Sequence, residues 1–163
     1  ILCITAACTT TKVSDSFDDS RNEALANKRI SAASSALKDA HINVTSFQGI
    51  MLITGQVPSA ELIQMATAEA KSLRNVRVVH NELVVAGATS ALSRVNDSWL
   101  TTRAYTAMSV SDKTDATRIK IVTENGIVYL MGLLTRTEAD AAVEISRSIR
   151  GVQKIVKVFE YIN

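Results

Sequence analysis

The feature that most constrains this chain is that it states one pattern twice. Ile42-Asn43-Val44-Thr45-Ser46-Phe47 leads through Gln48-Gly49 into Ile50-Met51-Leu52-Ile53-Thr54-Gly55. Ile119-Lys120-Ile121-Val122-Thr123 leads through Glu124-Asn125-Gly126 into Ile127-Val128-Tyr129-Leu130-Met131-Gly132. Gly49 and Gly126 stand 77 positions apart, and so do Gly55 and Gly132. Asn-Gly between two β-rich runs is a hairpin signal, because both residues tolerate positive φ. Glycine at the end of the second strand marks a bulge or a close backbone approach.

A helix is expected after each hairpin. Thr135-Arg136-Thr137-Glu138 has the capping-box pattern, with Ala139, Ala142, Ile145 and Ile149 following at helical spacing. The first copy keeps Glu61 but has Pro58 at the cap, with Leu62, Met65, Ala66 and Leu73 as its apolar positions. Val-rich runs at 75–85 and 151–161 read as third strands, parallel to an earlier one because a helical crossover separates them. Helices also precede the hairpins. Ile30, Ala33 and Leu37 form one stripe, and Leu100, Arg103, Ala104 and Ala107 form the other, about 70 residues on.

The reading is an α+β protein of two tandem αββαβ modules, each a three-stranded mixed sheet packed on two helices. The modules are expected at 28–86 and 93–163, joined by a linker near 86–92. A unit of this size buries only a modest core, so packing of the two copies against each other would help both.

Composition narrows the function. Hydrophobic residues make up 47% and charged ones 21%, enough apolar material for packed cores. The formal charge of +2 gives no basic footprint for nucleic acid, and no Gly-x-x-Gly loop of the kind used by the similar KH fold occurs. Both cysteines, Cys3 and Cys8, lie in the first eight residues, and the two histidines are isolated, so no metal-ligand spacing or cofactor motif is present. No Ser/His/Asp or Cys/His constellation and no phosphate loop is found. Glu138 and Asp140 suit a helix cap and dipole rather than catalysis. The chain reads as non-enzymatic.

Residues 1–8 resemble the end of an export signal. Thr5-Ala6-Ala7-Cys8 is similar to the bacterial lipobox, which implies lipidation at Cys8; Thr5 departs from the usual Leu, Val or Ile. A plain signal remnant, or a Cys3–Cys8 disulfide, are the competing readings. Thr9 after the cysteine, in place of Asp, implies sorting to the outer membrane by the same resemblance. Residues 9–27 are polar, poorly periodic and expected to be a flexible tether.

The repeats resemble the BON-domain family. The residues that carry this are Gly126-Ile127-Val128-Tyr129-Leu130-Met131-Gly132, Glu138 and Gly151-Val152. In the first copy they are Gly49 to Gly55, Glu61 and Asn75-Val76, where the last glycine is lost. Two such domains behind a lipobox are similar to dual-BON outer-membrane lipoproteins. That resemblance implies a lipid-anchored, periplasm-facing protein supporting outer-membrane integrity and associated with the outer-membrane protein assembly machinery. It also implies that the second domain's first helix binds anionic phospholipid of the phosphatidylglycerol or cardiolipin class. A soluble periplasmic stress protein or chaperone is the alternative within the family.

Trp99, the single tryptophan, gives this helix independent interest. At about 100° per residue, Leu100, Ala104 and Ala107 make a core stripe, and Trp99 falls to one side with Val95, Arg103 and Thr106. Arg29 is read as its counterpart in the first copy. An indole beside an arginine suits a lipid headgroup boundary; packing in the seam between the modules is the competing reading. The candidate phospholipid-binding residues are Val95, Trp99, Leu100 and Arg103.

Overall fold

The structure, a computed structural model, describes residues 10–87 and 91–163, with side chains over 18–87 and 93–163. The candidate lipidation residue Cys8 and the signal segment lie outside the described residues. The hairpins form as their sequences dictate. Gln48 and Gly49 take φ of 52° and 76°, and Asn125 and Gly126 take 52° and 75°, the pair of positive values a two-residue turn needs. They join β1 (His41–Phe47) to β2 (Ile50–Val57) and β4 (Lys120–Glu124) to β5 (Ile127–Leu134), both antiparallel.

Gly55 and Gly132 are required by space. A Cβ at Gly55 would lie 2.0 Å from the His41 carbonyl oxygen, and one at Gly132 would lie 2.4 Å from that of Arg118. Any side chain there would push the start of the neighbouring strand off the sheet. After the crossover helices α3 (Ala60–Lys71) and α5 (Arg136–Arg147), strands β3 (Val78–Val85) and β6 (Lys154–Tyr161) pair in parallel with β2 and β5. Each module is a three-stranded mixed sheet with its hairpin's second strand central.

Thr135 caps α5 in a full capping box with Glu138. Both carboxylate oxygens are engaged: Oε2 accepts from the Thr135 N–H at 2.9 Å, and Oε1 accepts from Arg118 at 2.6 Å. Hydrogen bonding from Thr135, helped by Arg118, holds this carboxyl below its ordinary pKa. In the first module the cap falls on Ser59, whose side chain makes no cap bond. Asn75 adopts φ of 64° where Gly151 has 102°, so the missing glycine leaves the turn intact, because asparagine tolerates the left-handed region. Met65, read as core, is exposed.

The first helix departs most from expectation. Helix α1 spans Thr10–Ala33, followed by the short α2 (Ser35–Asp39), so most of residues 9–27 are helix rather than flexible tether and the first module begins before residue 28. Among the described side chains of α1, Ala26 and Ile30 are the buried apolar ones, with Leu25 packed beside them, and the rest of the hold seen there is polar. Asp19, buried, accepts from Ser46 Oγ (2.7 Å) and from the N–H groups of Gln48 (2.6 Å) and Gly49 (3.1 Å), while Glu23 accepts from the Ser46 N–H (2.8 Å). In the second module α4 (Ala91–Ser109) is followed by a 3-10 turn at Ala116–Arg118. There Asp97 accepts from the N–H groups of Asn125 and Gly126, both at 2.8 Å. A carboxylate on the first helix thus clamps the hairpin turn in both copies.

The two sheets pack on each other. Alternation along β2 sends Met51, Ile53 and Val57 to the helices of their own module, and Ile50 and Leu52 into a seam with Val122, Tyr129, Met131 and Val158 of the other. Polar contacts rim the seam. Gln56 Nε2 donates to Glu124 at 3.1 Å, His41 lies 3.4 Å from the same carboxylate, and Arg77 pairs with Glu160. Gln48 lacks the tolerance for positive φ that asparagine has. Its Oε1 instead accepts from the Leu133 N–H across the seam, at 3.1 Å. Burial of Tyr129, with Glu82 and Glu124 adding to it, pushes the phenol up to about 12.

Candidate membrane-facing site

Helix α4 is held to its sheet by a few strong features. Leu100, Ala104 and Met108 are fully buried in the second module's core, and Asp97 clamps the turn. Thr101 Oγ1 donates to Thr123 Oγ1 at 2.8 Å. Leu100 therefore leaves the set of lipid-contacting candidates: at 0% exposure it cannot meet a membrane while the module is folded. Met108, rather than Ala107, completes the core stripe.

The opposite face is the unusual one. Val95 is 68% exposed, Trp99 49% and Val110, just past the helix end, 79%. At about 100° per residue these three fall within one arc of roughly 100° that also holds Thr102, Arg103 and Thr106. The stripe runs about 22 Å along the axis at about 1.5 Å per residue. Arg103 lies over the indole, its Cζ 5.4 Å from the ring centroid, a cation–π contact. Trp99 is absent from the seam, which rules out its packing between the modules.

Four hydroxyls on the exposed part of this helix are turned back onto its own carbonyls. Ser98 donates to the Arg94 carbonyl (3.1 Å), Thr102 to Ser98 (3.0 Å), Thr106 to Thr102 (2.9 Å) and Ser109 to Tyr105 (2.8 Å). A hydroxyl bonded to the carbonyl four residues back has its donor satisfied without water, so these side chains cost less to dehydrate. The only acid in α4, Asp97, is buried and occupied, so the exposed charges are Arg94 and Arg103.

The clamp sets the true register between modules. Asp19 matches Asp97, Ala26 matches Ala104 and Ile30 matches Met108, a spacing of 78 rather than about 70. Trp99 therefore corresponds to Arg21, and Arg29 instead reaches Ser72 Oγ at 2.5 Å. Sequence reasoning missed the clamp, although Asp19-Ser20 and Asp97-Ser98 carried the signal.

Among the described residues no helix is long and apolar enough to cross a membrane. What the fold defines is a pair of αββαβ modules with an amphiphilic helix on one of them. The chain belongs to the BON-domain family, whose model matches residues 18–87 and 96–163. It is 40% identical over 125 residues to the outer membrane lipoprotein DolP of Haemophilus influenzae, a match covering 77% of this chain and 65% of that protein. It is 35% identical over 126 residues to a 21 kDa hemolysin of Actinobacillus pleuropneumoniae, covering 77% and 64%. The chain thus spans just under two thirds of these relatives' length. Among solved structures, the C-terminal domain of CdsD from the type III secretion system of Chlamydia trachomatis matches 91% of this chain at 16% identity, with a TM-score of 0.35.

Proposed function

We propose that this chain is a non-enzymatic outer-membrane lipoprotein on the periplasmic face. In this reading α4 of its second BON domain binds anionic phospholipid and the protein supports outer-membrane integrity. The observation that carries the reading is the exposed Val95–Trp99–Val110 stripe, with Arg103 stacked on the indole and no exposed carboxylate on the helix. The similarity to the lipoprotein DolP supports the location, and the lipobox-like Thr5-Ala6-Ala7-Cys8 supports an acyl anchor. Association with the outer-membrane protein assembly machinery belongs to the same reading.

Magnitudes divide the work. A large apolar side chain entering the interface contributes on the order of 1.5–3 kcal/mol, and each arginine near an anionic surface about 1 kcal/mol. Trp99 with Arg103 makes a weak, salt-sensitive contact that tethering renders effective by raising local concentration. Stable attachment takes a second signal, which an acylated Cys8 supplies. The test is titration of the unacylated full chain with phosphatidylglycerol-containing vesicles. Trp99→Glu is expected to abolish binding; binding at the original strength overturns the reading. Mass spectrometry of the mature protein showing an unmodified Cys8 would favour a soluble periplasmic stress protein or chaperone instead.

A further inference from the structure

The arginines around α4 do not all come from α4. Arg103 lies between Trp99 and Leu100 on the helical wheel, on the flank that faces the turn after α5. That turn is docked on the same flank: a Cβ at Gly151 would sit 3.3 Å from Leu100 Cδ2. Gly151, with φ of 102°, allows the chain to reverse there and enter β6. The residue before it, Arg150, is exposed beside the helix that carries Trp99 and Arg103.

Four other basic residues of this module are committed. Arg147 pairs with Glu144 at 2.6 Å, Arg118 with Glu138 at 2.6 Å and Lys157 with Asp140 at 3.7 Å, while Arg136 covers the Tyr161 ring. Arg150 has no carboxylate partner among the described residues, and Arg103 is turned onto an indole rather than an acid. Arg103 on α4 and Arg150 on the turn docked against Leu100 are arginines without counter-ions on two elements that meet beside Trp99, a pairing that suits a phosphate at the depth of the indole. Arginine serves there because its planar fork meets phosphate oxygens in pairs.

We infer that Arg150, contributed by the α5–β6 turn, joins Arg103 to form the headgroup-phosphate site of an anionic phospholipid whose acyl region meets Trp99. This inference rests on the lipid reading of α4 and adds to it a residue from a different element, 51 positions beyond Trp99 in sequence. The membrane would then be read by a helix and a turn held together through Leu100 and Gly151, so recognition requires the folded second module.

The experiment uses the full chain with Cys8→Ser, so that acylation contributes nothing. It is titrated with phosphatidylcholine vesicles with and without phosphatidylglycerol, at several salt concentrations. Arg150→Gln is expected to weaken binding to the anionic vesicles about fivefold and to flatten its salt dependence. Arg147→Gln, whose charge is already paired, is expected to change it by less than about twofold. Circular dichroism checks that both variants keep the fold. If Trp99→Glu abolishes binding while Arg150→Gln binds like the parent, the inference is overturned and the lipid reading stands. Equal weakening by Arg147→Gln and Arg150→Gln also overturns it, because diffuse charge then suffices. Unchanged binding of Trp99→Glu removes the lipid reading itself.

Discussion

Helices α1 and α4 occupy the same place in the two modules and are fastened the same way, yet they present opposite surfaces. In each, a buried aspartate accepts hydrogen bonds from the hairpin turn, and an Ala and a larger apolar residue four positions on fill the core. Outward, α1 shows Arg21, Ala24, Lys28 and Ala32, where α4 shows Trp99, Thr102, Thr106 and Val110. The anchoring is a property of the fold. The outer face is free to vary, and among the described side chains it is the second module's that is built from residues that gain by leaving water. The clamp is what permits this, since a helix held by its aspartate and inner stripe can carry an apolar outer stripe without turning it into the core.

The modules share one apolar seam but cap their crossover helices differently, and three experiments probe these features. The largest effect is expected at the seam. Met131→Ala empties a fully buried position between the sheets and should cost about 2–5 kcal/mol, read by chemical denaturation. A loss below about 1 kcal/mol would mean the modules stand alone.

Next is the alkaline limit. Tyr129 ionises near 10 when unfolded but is pushed up to about 12 in the seam, so the folded state holds its proton where the unfolded state has lost it. The contribution is fully present below about pH 10 and is lost between about 10 and 12, on the order of 2 kcal/mol. Tyr129→Phe should remove that part of the pH dependence, and an unchanged alkaline profile would contradict the assignment.

The smallest effect separates the crossover helices. Thr135→Ala should cost about 1 kcal/mol, while Ser59→Ala should cost a few tenths, because only Thr135 makes a cap bond. Equal losses in thermal unfolding would show that the capping box contributes nothing specific.

Much of this was legible in advance where the cause is local. The hairpins, the crossover helices, the parallel third strands and the exposed position of Trp99 beside Arg103 follow from turn chemistry and periodicity. Leu100 was assigned to two roles at once, and burial leaves it only the core. The start of α1 was illegible by pattern, because a helix held by Asp19 and Glu23 looks polar along its length. The Arg29 pairing failed for the same reason: apolar spacing alone does not fix a register that a carboxylate sets.

The sequence by itself determined the repeat, the sites where glycine or asparagine must take positive φ, and the strands whose two faces are both apolar. Such a strand has to be covered twice, but the chain does not say by what. That was decided by the tertiary structure, in which β2 and β5 cover each other and Gln48, Glu124 and Arg77 rim the contact. Tertiary contact also brought the turn that carries Arg150 against Leu100 of α4. The physical reason is range: torsional preference and periodicity act over a few residues, whereas the seam and the packing of that turn on α4 join positions dozens of residues apart.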